Sequence, residues 1–456
     1  MAQQGPPGQD AAPAPELVDR AVSKFLRRVM PMLVLMLVVN QMDRTNVGFV
    51  QDDLSADIGV GAAAYGLGAG LFFISYAIFE VPSNMLMERF GARVWLTRIM
   101  ISWGAVTLAM CFMHGATSFY VLRFLLGIAE AGFFPGVMYY MTTWLPDSYR
   151  GKASAIFLGG SATAYIVTGP ISGAFLEMHG IGGFAGWRWM FAMEGAISIA
   201  VGLVAAFFLV SRIGDARWLS ADERTALTAA LERDRETRSR EPRVSRWRLV
   251  LHPQVALLTL VFFAMALTGY AITFWLPSLV DDIGGLSPFQ IGLLSAIPWI
   301  CAVIAMYTMS RYTDRMPDRR PYLAIVLVLS AVGTFLATLG SPWFGLVALT
   351  LAAVGSKCGA NLFWPLAQSS LDAKVTASGL AVINSLGNLG GFVAPTLFGY
   401  LEETTGSTNG GLYSLSAASL VAVIGVYLLR RPAAGTGTGA GADTKAPAPA
   451  PAPSAP

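Results

Sequence analysis

A few ionisable and polar side chains stand inside long apolar stretches, and any chemistry starts with them. Asp43, Arg44, Tyr76, Glu80, Arg123, Glu130 and Lys357 each have mainly apolar neighbours. A guanidinium offers a rigid fork that meets a carboxylate in two parallel hydrogen bonds. Arg44 and Arg123 are therefore the candidates for holding a carboxylate. Burial disfavours the ionised form of an acid, and a nearby guanidinium favours it. Asp43 or Glu130 beside such an arginine can switch protonation as an anion arrives and leaves. Arg123 and Glu130 are close to two helical turns apart and share a face. Tyr76 and Glu80 share another. Lys357, Asn361, Trp364 and Gln368 recur at helical spacing, and Asn384 and Asn388 lie one turn apart. These faces can converge on one cavity, cationic and polar with aromatic walls. The candidate binding residues are Arg44, Arg123, Tyr76, Lys357, Asn361, Trp364, Gln368 and Asn384, with Asp43 and Glu130 as proton-coupling groups. Lys357 would meet a second carboxylate. The competing reading of the charged pairs is structural, and Glu194 reads as a packing contact.

The elements that position them are membrane-spanning helices. The chain has 456 residues, 54% hydrophobic and only 13% charged, with a mean hydropathy of +0.56. Soluble domains carry about 25% charged residues. Charge-poor runs such as Ile99–Leu122, Leu249–Val280 and Ile283–Ser310 exceed the roughly 20 residues a helix needs to cross a bilayer. The turn signal Gly340-Ser341-Pro342 divides a longer run in two. About twelve spans follow on this length criterion. The three cysteines lie within spans and the three histidines at span ends. No metal-ligand spacing appears, so no metal and no cofactor is expected.

Lys and Arg mark the cytoplasmic side of a membrane protein. All of the 31 except Arg44, Arg123, Arg188 and Lys357 fall on one side. The other side carries Asp52, Asp53, Asp57, Asp281, Asp282, Glu402 and Glu403. Both termini are therefore expected in the cytoplasm. The first apolar segment has no cleavage site and reads as a retained helix. Composition divides the chain as follows: a disordered cytoplasmic tail over 1–24, a six-helix half over 25–210, a cytoplasmic central loop over 211–253, a second six-helix half over 254–430, and a disordered cytoplasmic tail over 431–456. Ser220–Arg240 within the central loop has the pattern of a surface helix.

Each half repeats one signature after its second span. The first reads Glu88-Arg89-Phe90-Gly91-Ala92-Arg93; the second holds Asp314-Arg315 and further arginines. Glu88, Arg89, Arg93, Asp314 and Arg315 read as conformational latches. Two related halves around a midplane site are a common plan for secondary transporters.

With these motifs the chain resembles the major facilitator superfamily. Within it, the sequence is similar to the anion:cation symporter group, in its bacterial branch handling tartrate, phthalate or 4-hydroxyphenylacetate-like acids. The resemblance runs from about Phe25 to Leu429. It rests on Asp43-Arg44-Thr45-Asn46-Val47-Gly48, on Phe79-Glu80-Val81-Pro82-Ser83-Asn84, on the run from Arg123 to Gly136, which extends from the fourth span to the approach of the fifth, and on Gly186-Trp187-Arg188-Trp189. Asn84 and Glu88 depart from the general superfamily pattern, which has Gly and Asp there. The resemblance implies an all-α fold of twelve transmembrane helices in two pseudo-symmetric halves. It also implies roles for the Arg123/Glu130 and Asp43/Arg44 pairs.

The function expected is import of a small organic anion by proton symport, from a monomer in the plasma (inner) membrane. The partners are the anion, protons and lipid, with no nucleic acid. The alternative is a proton-driven exporter of drugs or metabolites with the same fold, against which the Arg44, Arg123 and Lys357 trio argues. An embedded enzyme lacks a His or Cys cluster to do chemistry. An ATP-driven pump lacks a phosphate loop beyond Gly151-Lys152.

Overall fold

A computed structural model describes residues 15–239, 252–313, 318–371 and 373–429. Asp314 and Arg315, residues 1–14 of the first tail, the whole second tail over 431–456 and part of the central loop lie outside the described residues. The helices are α1 (Pro15–Arg28), α2 (Met30–Thr45), α3 (Gln51–Ile58), α4 (Ala62–Phe90), α5 (Ala92–Met110), α6 (Ala116–Glu130), α7 (Phe133–Trp144), α8 (Asp147–Leu176), α9 (Gly186–Phe208) and α10 (Ala221–Ser239). The second half continues with α11 (Pro253–Asp281), α12 (Pro288–Thr313), α13 (Arg320–Leu336), α14 (Pro342–Ser369), α15 (Ala373–Gly387), α16 (Gly390–Thr405) and α17 (Asn409–Leu428).

Nine spans among the described residues are long and apolar enough to cross a bilayer, two of them broken helices: α6 with α7, and α15 with α16. With the shorter or more charged α2, α5 and α13 they make the twelve that the resemblance implies. The first span is interrupted after Thr45 by a tight turn over Asn46–Phe49. The fourth breaks at Gly132, whose φ of 87° is left-handed. A Cβ there would stand 2.8 Å from that of Ser83, so only glycine fits both backbone and neighbour. The whole Arg123-to-Gly136 motif thus lies in the fourth span, and its expected extension to the approach of the fifth is corrected.

Residues 15–24, expected to be disordered, form most of α1. Composition hid an amphipathic stripe: Val18, Ala21, Val22 and Phe25 recur at helical spacing and are buried. Phe25 stacks on Trp144, with centroids 5.5 Å apart, and Trp144 stacks on Trp218 at the same separation. Lys24 donates to both oxygens of Glu223 at 2.7 Å, tying α1 to α10. Helix α10 is the one foreseen in the central loop.

Within the first half α5 packs on α9, α4 on α6 and α2 on α8; within the second, α13 packs on α14 and α17, and α11 on α15 and α17. The halves meet along α4 with α16 and along α8 with α12. One end of the molecule carries the acidic loops and the other the basic ones. Contacts between the halves gather toward the acidic end. Gln51 Nε2 lies 3.1 Å from Glu402, Trp275 Nε1 donates to Glu402 at 2.6 Å, and Ser278 donates to Asp52 at 3.0 Å. Gly66 faces the Pro395 carbonyl, and Gly169 faces Gly292, so closely that a Cβ at either would collide with backbone. Small residues let helices approach in this way. Past Phe73 and Gly391, α15 packs on α11 and α14 rather than on the basic half of α4. The halves are closed at the acidic end and splayed at the basic end.

Candidate functional site

Where the halves begin to part, Arg44 projects from α2. Its Nε donates to Glu130, the last residue of α6, in a short contact. Glu130 is 0% exposed. Asn40, one turn before Arg44, stands beside the same carboxylate. The Arg44 guanidinium carbon lies 4.7 Å from the Tyr76 ring centroid and 5.4 Å from that of Phe72. A cation against an aromatic face gains about 0.5–2 kcal/mol. Arg44 Nη2 is buried and has no hydrogen-bond partner among the described residues. One prong of the fork is thus engaged and one is free.

Arg123, on α6, is held by backbone. It is 0% exposed. Its Nε and Nη2 donate to the carbonyls of Gly68 and Ala69 in α4, at 3.4 and 3.3 Å. In this conformation it fastens α6 to α4, with its guanidinium 5.1 Å from the Phe72 ring centroid and Nη1 buried without a hydrogen-bond partner among the described residues. The reason is local: Gly66, Gly68 and Gly70 leave the α4 backbone uncovered, and a long cation reaches it. The seven-residue spacing does not pair Arg123 with Glu130; the partner comes from α2.

Asp43 faces away from Arg44 into the first half. Its Oδ2 accepts from Trp103 Nε1 at 2.6 Å and from Ser198 at 2.5 Å. Glu194 accepts from Asn46 and Ser172, each at 2.7 Å, and joins three spans as a packing contact.

Lys357 lies on α14 across the molecule. Its Nζ sits 4.0 Å from the Tyr165 ring centroid and 5.1 Å from that of Trp299. A cation at bilayer depth costs about 2.5–3.5 kcal/mol on insertion scales. Two aromatic faces at about 0.5–2 kcal/mol each offset part of that. No ion pair with Lys357 occurs among the described residues. Lys357, Tyr165, Tyr270, Thr273, Ser356 and Asn388 line a cavity of about 140 Å³.

The rest of the expected α14 face does not line that cavity. Trp364 packs on Phe262, with centroids 4.8 Å apart. Asn361 is half-buried, and Gln368 and Asn384 are exposed toward the basic end. Asn388 does line the cavity and donates to Asn384 at 3.1 Å. Of the latch residues, Glu88 and Arg89 are exposed, while Arg93 Nε donates to the Ala206 carbonyl at 2.6 Å. The Asp314-Arg315 half of the proposed pair lies outside the described residues.

Sequence reading missed Tyr165, Tyr270 and Trp299, each within an apolar run with no charge nearby to mark it. Asn40 had a usable signal: it stands four residues before Arg44, on the same helical face.

The sequence profile described as Major Facilitator Superfamily matches residues 33–395 and 284–452. A protein of Agrobacterium vitis named for tartrate transport is 39% identical over 419 residues, 92% of this chain and 96% of that protein. A quinolone resistance transporter of Acinetobacter baumannii is 41% identical over 403 residues, 88% and 93% of the two chains. Among solved structures, a bacterial homologue of the human lysosomal transporter Spinster, inward-facing and occupied, superposes with a TM-score of 0.71. It covers 90% of this chain and 97% of its own at 16% identity, a likeness of fold alone.

Proposed function

Because the chain belongs to the major facilitator superfamily, whose members are multi-pass membrane transporters and not enzymes, we propose that it carries a small organic carboxylate into the cell together with a proton. The observation that carries this reading is the Arg44 guanidinium, bonded to Glu130 through Nε and left with a buried, unpartnered Nη2. A carboxylate entering the cavity takes the free prong and then competes with Glu130 for the whole fork. Glu130 then stands buried without a cation. An unpaired buried charge costs about 3–5 kcal/mol. Protonating an ordinary glutamate at neutral pH costs about 4 kcal/mol, at 1.36 per unit of pKa. The two costs are close, as a switch requires. Loaded carrier holds anion and proton; empty carrier holds the Arg44–Glu130 pair. Anion and proton therefore cross together.

The acidic end faces outward in this reading, and both termini lie in the cytoplasm of a bacterial cell, at its plasma (inner) membrane. The splayed basic end is then the cytoplasmic release state, reached by rocking the halves about the small-residue contacts at Gly66 and Gly169. One chain encloses the pathway, so the monomer suffices. The tartrate-named relative supports a carboxylate substrate.

A second reading, proton-driven export of a drug or metabolite, draws on the quinolone resistance relative. Uptake into proteoliposomes decides between them, using labelled tartrate, phthalate, 4-hydroxyphenylacetate, a sugar acid and glutamate. Accumulation of one carboxylate that requires an inward proton gradient and vanishes in Arg44→Ala is the expected result. Failure with every carboxylate, alongside efflux of a drug, overturns the import reading.

A further inference from the structure

Among the described residues, Lys357 is a cation without an anion. It belongs to the second half, yet its nearest aromatic partner, Tyr165 on α8, belongs to the first. Its ammonium opens on the cavity that Tyr270 and Asn388 also line. Tyr270 connects this region to Arg44. Its ring lies 4.6 Å from Phe73, Phe73 meets Phe72 at 5.1 Å, and Phe72 lies under the Arg44 guanidinium. Two cations, one from each half, are thus linked through Tyr270: Lys357 by the shared cavity, Arg44 by Phe73 and Phe72. Glu130 balances Arg44, and no side chain among the described residues plays that part for Lys357. The aromatic faces leave part of the cost of its charge uncovered, and an entering anion would cover it.

We propose that Lys357, with Tyr270 and Asn388, forms a second carboxylate subsite and selects dicarboxylates that bridge Arg44 and Lys357. The inference rests on the Arg44 reading above and adds the class of substrate. A dianion held at both ends joins the halves at mid-depth, whereas a monocarboxylate engages the first half alone. When its second carboxylate arrives, Lys357 exchanges the Tyr165 face for an ion pair.

The test is isothermal titration of the full-length protein in nanodiscs with two matched pairs, phthalate against benzoate and succinate against butyrate. The wild type is expected to bind the dicarboxylate of at least one pair about 10-fold tighter or more, as an added charge pair implies. Lys357→Gln erases that preference and leaves monocarboxylate affinity within about 3-fold. Lys357→Arg keeps the preference. Should Lys357→Gln not fold, Asn388→Ala carries the test and is expected to weaken only the dicarboxylates. Equal weakening of both classes, or a preference that survives Lys357→Gln, overturns the subsite and leaves the carboxylate reading standing. A wild type that binds none of the four overturns the subsite, and the uptake panel above then decides the carboxylate reading.

Discussion

The guanidinium of Arg44 and the carboxylate of Glu130, 86 residues apart in sequence, meet where the two halves of the molecule part. Their union leaves one guanidinium nitrogen buried and unpartnered. Glu130→Gln should therefore separate binding from coupling. Gln keeps the shape and removes the proton site. Exchange of labelled for unlabelled substrate should continue within about 3-fold of wild type, while gradient-driven accumulation falls by about 10-fold or more. If both fall together, Glu130 acts on binding alone.

Removing Arg44 has a different signature. Arg44→Lys keeps the charge but loses the planar fork. Transport should fall by about 100-fold or more, consistent with loss of about 3 kcal/mol from a charge-assisted contact. Restoration to near wild-type rates by lysine would mean that charge alone matters at this position.

Arg123 should behave as a structural residue in the basic-end-open state. Arg123→Ala strips donors from the Gly68 and Ala69 carbonyls and is expected to cost about 2–4 kcal/mol of stability. Thermal unfolding in detergent would register the loss. Substrate affinity measured with the acidic end closed should change by less than about 3-fold, since the hydrogen bonds lost go to the α4 backbone and not to Arg44 or Glu130. A large loss of affinity with unchanged stability would return Arg123 to the cavity.

Acidity should act on the acidic end. Asp53 reaches solvent but is partly desolvated by its neighbours, which pushes it up to about 6, with Asp57, Asp52 and Asp281 adding repulsion and His179 opposing it. A raised carboxylate makes the closed arrangement more stable as pH falls through about 6, and the repulsion is fully present above that. Spin labels at Ile181→Cys and Trp343→Cys, with native cysteines replaced, should report a growing separated population from pH 5 to pH 8. Asp53→Asn should flatten the response. A profile unchanged by Asp53→Asn would assign the effect to Asp281, Asp282 or Glu402.

The small-residue contact between α4 and α16 offers a steric test. Gly66→Val places a side chain where the Pro395 carbonyl now lies. The acidic end should then fail to close, shifting the labelled pair above toward longer distances and slowing transport. Normal closure in Gly66→Val would show that the helices have slack not visible in this arrangement.

The spans were legible because crossing a bilayer demands length and apolarity, and both are written locally. The embedded charges were legible because each breaks that rule. Their partners were not. Whether Glu130 meets Arg123 on its own helix or Arg44 on another depends on which helix faces converge, and spacing along one helix carries no such information. Tyr165, Tyr270 and Trp299 were hidden because an aromatic residue in an apolar run reads as packing. Residues 15–24 were misjudged because Ala, Pro and Gly in the preceding stretch diluted a four-residue stripe ending at Phe25.

That stripe bears on how the molecule is made. Helix α1 precedes the spans in the chain, and Glu223, the anchor of Lys24, follows 199 residues later. Trp144 reaches Phe25 sooner, but Lys24 lacks its anchor until α10 is made. Its docking onto α10 marks the moment when the first six spans are complete and before most of the second six exist. The nascent chain thus has a natural checkpoint at its middle, with a finished half anchored before its counterpart is synthesised.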